Sequence, residues 1–100
     1  MSNYTRINPN NGIEIRYGVK TISIASGQSG KNEDVTYSPA FTKTNTVVVA
    51  TLNDWRTPYA ANPKIAVLSR GQASFKLHIQ LESALTSAAN INIGWIAIAW

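Results

Sequence analysis

A lone histidine, His78, limits the acid–base and nucleophilic chemistry available to this sequence. A Ser-His-Asp set could draw only on His78, and no G-x-S-x-G elbow is present to expose a serine. There is no cysteine, which removes thiol nucleophiles, disulfides and Cys-based metal sites. Of the five carboxylates, Glu33 and Asp34 form the only adjacent pair. Side chains alternate along a strand, so these two point to opposite faces and do not flank one glycosidic bond. Gly27, Gly30 and their neighbours do not spell G-x-x-x-x-G-K, so no phosphate loop is assigned. The expectation is a protein that is not an enzyme, with no catalytic residue, metal ligand or cofactor.

The chemistry that remains is binding. Asp54-Trp55-Arg56-Thr57-Pro58-Tyr59 places two aromatics and an arginine in one loop. Trp55 or Tyr59 would give a stacking face to the apolar C–H side of a sugar. Asp54, Arg56 and Lys64 would bond its hydroxyls, and charged partners make the stronger bonds. The competing reading folds Trp55 back as a cap on the core with Tyr59 beside it, since tryptophan is mostly buried. A second candidate patch is Lys76, His78, Gln80 and Glu82, which alternation puts on one polar face. His78 reads there as an exposed or partner-facing side chain, or as one of three around a threefold axis holding an ion.

Such residues need rigid elements beneath them, and the periodicity supplies strands. In residues 90–100, Ile91, Ile93, Trp95, Ala97 and Ala99 share one face, and Asn92, Gly94, Ile96, Ile98 and Trp100 share the other. The second half is apolar on both sides, which predicts the interior of a sheet or cover by another layer or subunit. Residues 46–52 are nearly continuous apolar sequence and are expected to be central. In residues 74–82, Phe75, Leu77, Ile79 and Leu81 point inward. In residues 12–18, Ile13, Ile15 and Tyr17 are expected to face the core with Glu14 and Arg16 outward. Gly18 is expected to bend or bulge the chain before residues 19–24. Residues 33–38 and 63–69 complete the set, with loops at 25–32 and 53–62. Residues 83–89 are too few for a stable helix. The sum is an antiparallel β-sandwich of about six to seven strands, with a closed barrel as the alternative. Residues 1–11 read as a lead-in or linker and 12–100 as a single domain.

The chain has 100 residues and a net charge of +4. The basic residues are spread without a cluster, so a nucleic-acid partner is not expected. No apolar run approaches a membrane span, so no membrane insertion is expected.

Three stretches resemble the C-terminal tip domain of phage tail fibres, a group related in fold to the H-type lectins. Asn11-Gly12-Ile13-Glu14-Ile15-Arg16-Tyr17-Gly18 is similar to the family's N-G-ϕ-x-ϕ-Q-W-G opening, with Arg16 for Gln and Tyr17 for Trp. Val35-Thr36-Tyr37-Ser38-Pro39-Ala40-Phe41, followed by Val47-Val48-Val49, is similar to V-T-F-P-x-A-F and its next strand. Gly94-Trp95-Ile96-Ala97-Ile98-Ala99 is similar to the closing x-W-I-A-I-G. The resemblance spans residues 11–100. It implies a β-sandwich that assembles as a homotrimer and binds cell-surface glycan or polysaccharide. It also implies that Lys64 matches the basic residue used by H-type lectins. Their Trp-His pair is absent, with Gln80, Leu81 and Glu82 in its place. The expected role is therefore a receptor-recognition domain at a virion's tail-fibre tip, attaching to bacterial surface glycans. The alternatives are a free-standing H-type lectin, secreted or cytoplasmic, and a structural trimerisation cap with no ligand.

Overall fold

A computed structural model describes residues 4–7, 12–52 and 63–100. Among the described residues seven strands form in chain order: β1 (Tyr4–Ile7), β2 (Glu14–Ile24), β3 (Gly30–Thr36), β4 (Thr46–Leu52), β5 (Lys64–Arg70), β6 (Ser74–Gln80) and β7 (Ala89–Ala99). They make a four-stranded sheet, β1-β2-β7-β4, and a three-stranded sheet, β3-β6-β5. All pairings are antiparallel. No helix occurs among the described residues, and residues 81–88 connect β6 to β7 without one. The fold is the antiparallel β-sandwich expected from the alternation. Residues 4–7, within the expected lead-in, add a fourth strand to the larger sheet beside β2.

The core lies between the sheets. Ile91, Ile93, Trp95, Ala97 and Ala99 of β7 meet Phe75, Leu77 and Ile79 of β6. Each set comes from one face of an alternating strand, as the sequence predicts. β7 sits between β2 and β4, inside its sheet, also as predicted. Its backbone runs on into a reciprocal pair of bonds between Trp100 and Asn45, at 3.0 and 3.3 Å.

Two expectations are corrected. β4 is an edge strand rather than a central one. Its double-sided apolarity arises because Val48 packs into the core while Val47 and Val49 stay exposed. The facing of the start of β2 is inverted. Glu14 and Arg16 are buried, Arg16 at 1% exposure, whereas Tyr17 is 40% exposed. No bulge interrupts the strand at Gly18, because β2 pairs with β7 continuously from Glu14↔Ala99 to Ile24↔Ala89. Side-chain period two then fixes the parity. Ile22 and Ile24 point inward, so Glu14 and Arg16 must as well.

The inward charges are accommodated by a loop. Arg16 lies opposite the small Ala97 of β7. Its guanidinium donates from Nε to Pro39 O (3.1 Å), from one terminal nitrogen to Ala40 O (3.3 Å) and from the other to Ile15 O (3.3 Å). It also sits 4.6 Å from the centre of the Phe41 ring, in range for a cation–π contact. Glu14 Oε1 accepts from Thr42 N (2.7 Å), Thr42 Oγ1 (2.9 Å) and Lys43 N (3.2 Å). Burial pushes the Glu14 carboxyl up, but these bonds and the Arg16 charge outweigh it and hold its pKa below the ordinary range. Together the two residues moor the segment from Pro39 to Lys43 to β2.

Phe41 carries that mooring into an aromatic cluster. Tyr37 lies 4.6 Å from Phe41, 5.8 Å from Phe75 and 5.9 Å from Trp95, centre to centre. Burial pushes the Tyr37 hydroxyl up to about 12, against the opposing pull of Arg16. A free tyrosine ionises near pH 10. The folded pKa therefore lies above the unfolded one. Its contribution to stability is complete below pH ~10 and is lost as pH rises toward the folded value. An absorbance titration of tyrosinate is expected to show a late step from Tyr37, above the ordinary tyrosine range. Tyr37→Phe should remove that late step; an unchanged titration in the variant would contradict the burial argument.

Candidate functional site

The sandwich has two outward faces of opposite chemistry. On the three-stranded sheet, register sets side chains in rows across β5, β6 and β3. Lys64, Gln80 and Gly30 form one row; Ala66, His78 and Asn32 the next; Ser69, Lys76 and Asp34 the third. A register shift between Val67 and Ser69 leaves Leu68 outside the pairing, 53% exposed. Lys64 and the row Lys76–His78–Gln80 were separate candidates in the sequence. The structure brings them together, because β5 and β6 are hydrogen-bonded neighbours. Glu82 lies past the end of β6 and is exposed. Asp54, Trp55, Arg56 and Tyr59 lie outside the described residues.

The centre of this face is a chain of polar contacts. Gln80 Nε2 donates to Ser29 O (3.0 Å) and Leu81 O (3.1 Å), which fixes the amide. Its Oε1 then faces His78 Nε2 at 3.3 Å, and His78 Nδ1 meets Asn32 Oδ1 at 2.6 Å. Both ring nitrogens are therefore engaged within the face. Gly30 makes the arrangement possible: a Cβ there would lie 2.9 Å from Gln80 Oε1 and 3.1 Å from Ile79 O. Lys76 Nζ stands 3.8 Å from Asp34 Oδ1. Both are solvent-exposed, so the pair is worth little to stability. Asn32 and Asp34 were not among the sequence candidates. Their alternation with Lys31, Glu33 and Val35 was a usable signal, but only register reveals that they flank His78.

The outer face of the four-stranded sheet is apolar over half its length. Ile15, Ile98 and Val47 form one row across β2, β7 and β4, and Tyr17, Ile96 and Val49 the next. Val49 is 61% exposed and Ile96 40%. Toward the other end the rows become polar, with Thr21 Oγ1 donating to Asn92 Oδ1 and Ser23 Oγ to Asn90 Oδ1, both at 2.7 Å. On one flank Lys31 Nζ bonds Ser23 O at 2.9 Å, tying β3 to β2. Glu33 stands within 3.8 Å of Lys20 and 3.7 Å of Lys31 there.

No family model and no curated protein matches the sequence. Among solved structures the fold is similar to two fragments of R1-type pyocin tail fibres. One is the P. aeruginosa R1 pyocin fibre comprising C-terminal residues 323–701, with a TM-score of 0.65 at 14% identity. The other is an N-truncated R1-type pyocin tail fibre, with the same score and identity. Each match covers 99% of this chain, which spans 28% of the longer fragment and 87% of the shorter. The likeness is one of fold.

Proposed function

We propose that this chain is a receptor-recognition domain of a phage-type tail fibre. It works as a homotrimer and attaches to bacterial surface glycan. The observation that carries the reading is the division of the outer surface into an apolar sheet face and a polar one. A contiguous exposed apolar face marks an interface. Here three copies packing through Tyr17, Val49 and Ile96 would cover it, and the fibre fold of the structural neighbours supports that assembly. The polar face of Lys64, Lys76, His78 and Gln80 then points away from the threefold axis toward the host. Three copies of a weak site on one rigid body raise avidity without new contacts. The role is one of binding, and no catalytic step is assigned to it.

Light scattering on the eluting protein is expected to give about three times 10.9 kDa. Ile96→Glu with Val49→Glu should reduce that mass to one chain and weaken attachment to host bacteria by roughly 10²-fold or more through lost avidity. Lys64→Ala and His78→Ala should keep the trimer mass and lose attachment. A monomeric parent protein would overturn the assembly. Full attachment by both single variants would move the site off this face.

A further inference from the structure

We infer that the polar face selects glycans bearing a negative charge, as a carboxylate or a phosphate, over neutral ones. This rests on the reading of that face as the glycan site. The argument is an inventory of what the face leaves free. Gln80 Nε2 is held by two backbone carbonyls, and its Oε1 faces His78. His78 and Asn32 face each other at 2.6 Å. Both ring nitrogens of His78 are turned to these two amides, so His78 presents ring carbon to a ligand. What stands ready for a ligand is chiefly the ammonium groups of Lys64 and Lys76, the carboxylate of Asp34 being turned to Lys76. Lys64 makes no ion pair among the described residues, and it is exposed. Lys76 is shared with Asp34 at 3.8 Å. Ammonium groups only donate. A neutral sugar hydroxyl needs acceptors as well as donors, whereas a carboxylate or phosphate only accepts and gains the stronger, charge-assisted bonds.

The spacing defines the shape. Lys76 is four residues from Gln80, the partner of Lys64, so the two ammonium rows stand about 13 Å apart at the usual strand rise. Between them lie the methyl of Ala66, the ring of His78 and the amide of Asn32, a low floor on which a sugar's C–H face can rest on the methyl and the ring. A chain of more than one sugar unit, carrying acidic groups at either end of this floor, matches the arrangement.

The test uses the full chain and two pairs of probes: oligogalacturonate with its carboxyl-reduced neutral form, and phosphomannan with its dephosphorylated form. Binding is measured by calorimetry at low and at raised salt. At least one acidic probe is expected to bind roughly tenfold tighter than its neutral partner, and to weaken as salt screens the charges. Which pair shows the difference separates carboxylate from phosphate. Lys64→Gln and Lys76→Gln should each erase most of that difference. Asp34→Asn, which releases Lys76, should tighten the acidic probe severalfold, an outcome no folding defect would produce. Equal binding of each acid and its neutral partner overturns the charge selection while leaving glycan recognition standing. Absence of binding by all four probes overturns both.

Discussion

Trp95→Ala is expected to lower the unfolding free energy by about 3–5 kcal/mol, the range for removing a buried tryptophan. Trp95 is 6% exposed on the inner face of β7. Its ring meets Phe75 edge-on at 5.3 Å and Tyr37 at 5.9 Å. Its indole nitrogen has no hydrogen-bond partner among the described residues, so the loss is one of packing and apolar burial. The cavity would open beneath the sheet position where β2, β7 and β4 meet, at Gly18, Trp95 and Ala50. Neither neighbour in that row carries a side chain large enough to fill it. A domain's whole stability is about 5–15 kcal/mol, so the variant should be badly weakened or insoluble. Urea unfolding monitored by far-UV circular dichroism measures the loss. A variant melting within a few degrees of the parent would remove Trp95 from the core.

Arg16→Met is expected to cost a similar amount, about 3–5 kcal/mol, although methionine fits an apolar site better than arginine does. Replacing both members of a buried ion pair by apolar groups can be harmless. Removing one member is not, because its partners stay buried. Here the partners are Pro39 O, Ala40 O and Ile15 O, together with Glu14, whose Oε2 lies 3.8 Å from the guanidinium. Arg16→Lys should fall between, since one ammonium cannot reach two loop carbonyls in the fixed fork of a guanidinium. The pair also predicts a pH dependence. The Glu14 carboxyl is held below its ordinary pKa in the folded protein. Its stabilisation is therefore present above the ordinary glutamate range and is lost as pH falls through the folded value. Arg16→Met removes one of the groups that lower that pKa, so the acid-dependent loss tied to Glu14 should be smaller in the variant and complete at a higher pH. An acid titration of the two proteins followed by circular dichroism compares them. Coincident acid transitions, with equal urea midpoints at neutral pH, would show that the loop is held by other means.

Much of this protein was legible as local pattern. Phe75, Leu77, Ile79 and Leu81 alternate with polar residues, and all four are buried. Residues 90–100 show their inward set as plainly. Both follow from the period of two, which needs only neighbours in the chain. The bounds of β3 were less clear. It begins at Gly30, ahead of the expected residue 33, because Lys31 and Asn32 gain partners in Ile79 and His78 of β6 that no local pattern announces.

The sequence by itself determined that strands would form and which residues of β6 and β7 would be core. Only the tertiary structure decided three further matters. It turned Glu14 and Arg16 inward, because an uninterrupted ladder with β7 carries the parity of Ile22 and Ile24 back along β2. It made β4 an edge, so that Val47 and Val49 read as exposed surface rather than as core. It set Lys64 beside Gln80 and Asn32 beside His78, assembling one face from three strands. The physical reason is the same in each case. Alternation is a property of a single strand, whereas the side of the sandwich it faces, and the neighbours it meets, are properties of register between strands distant in the chain.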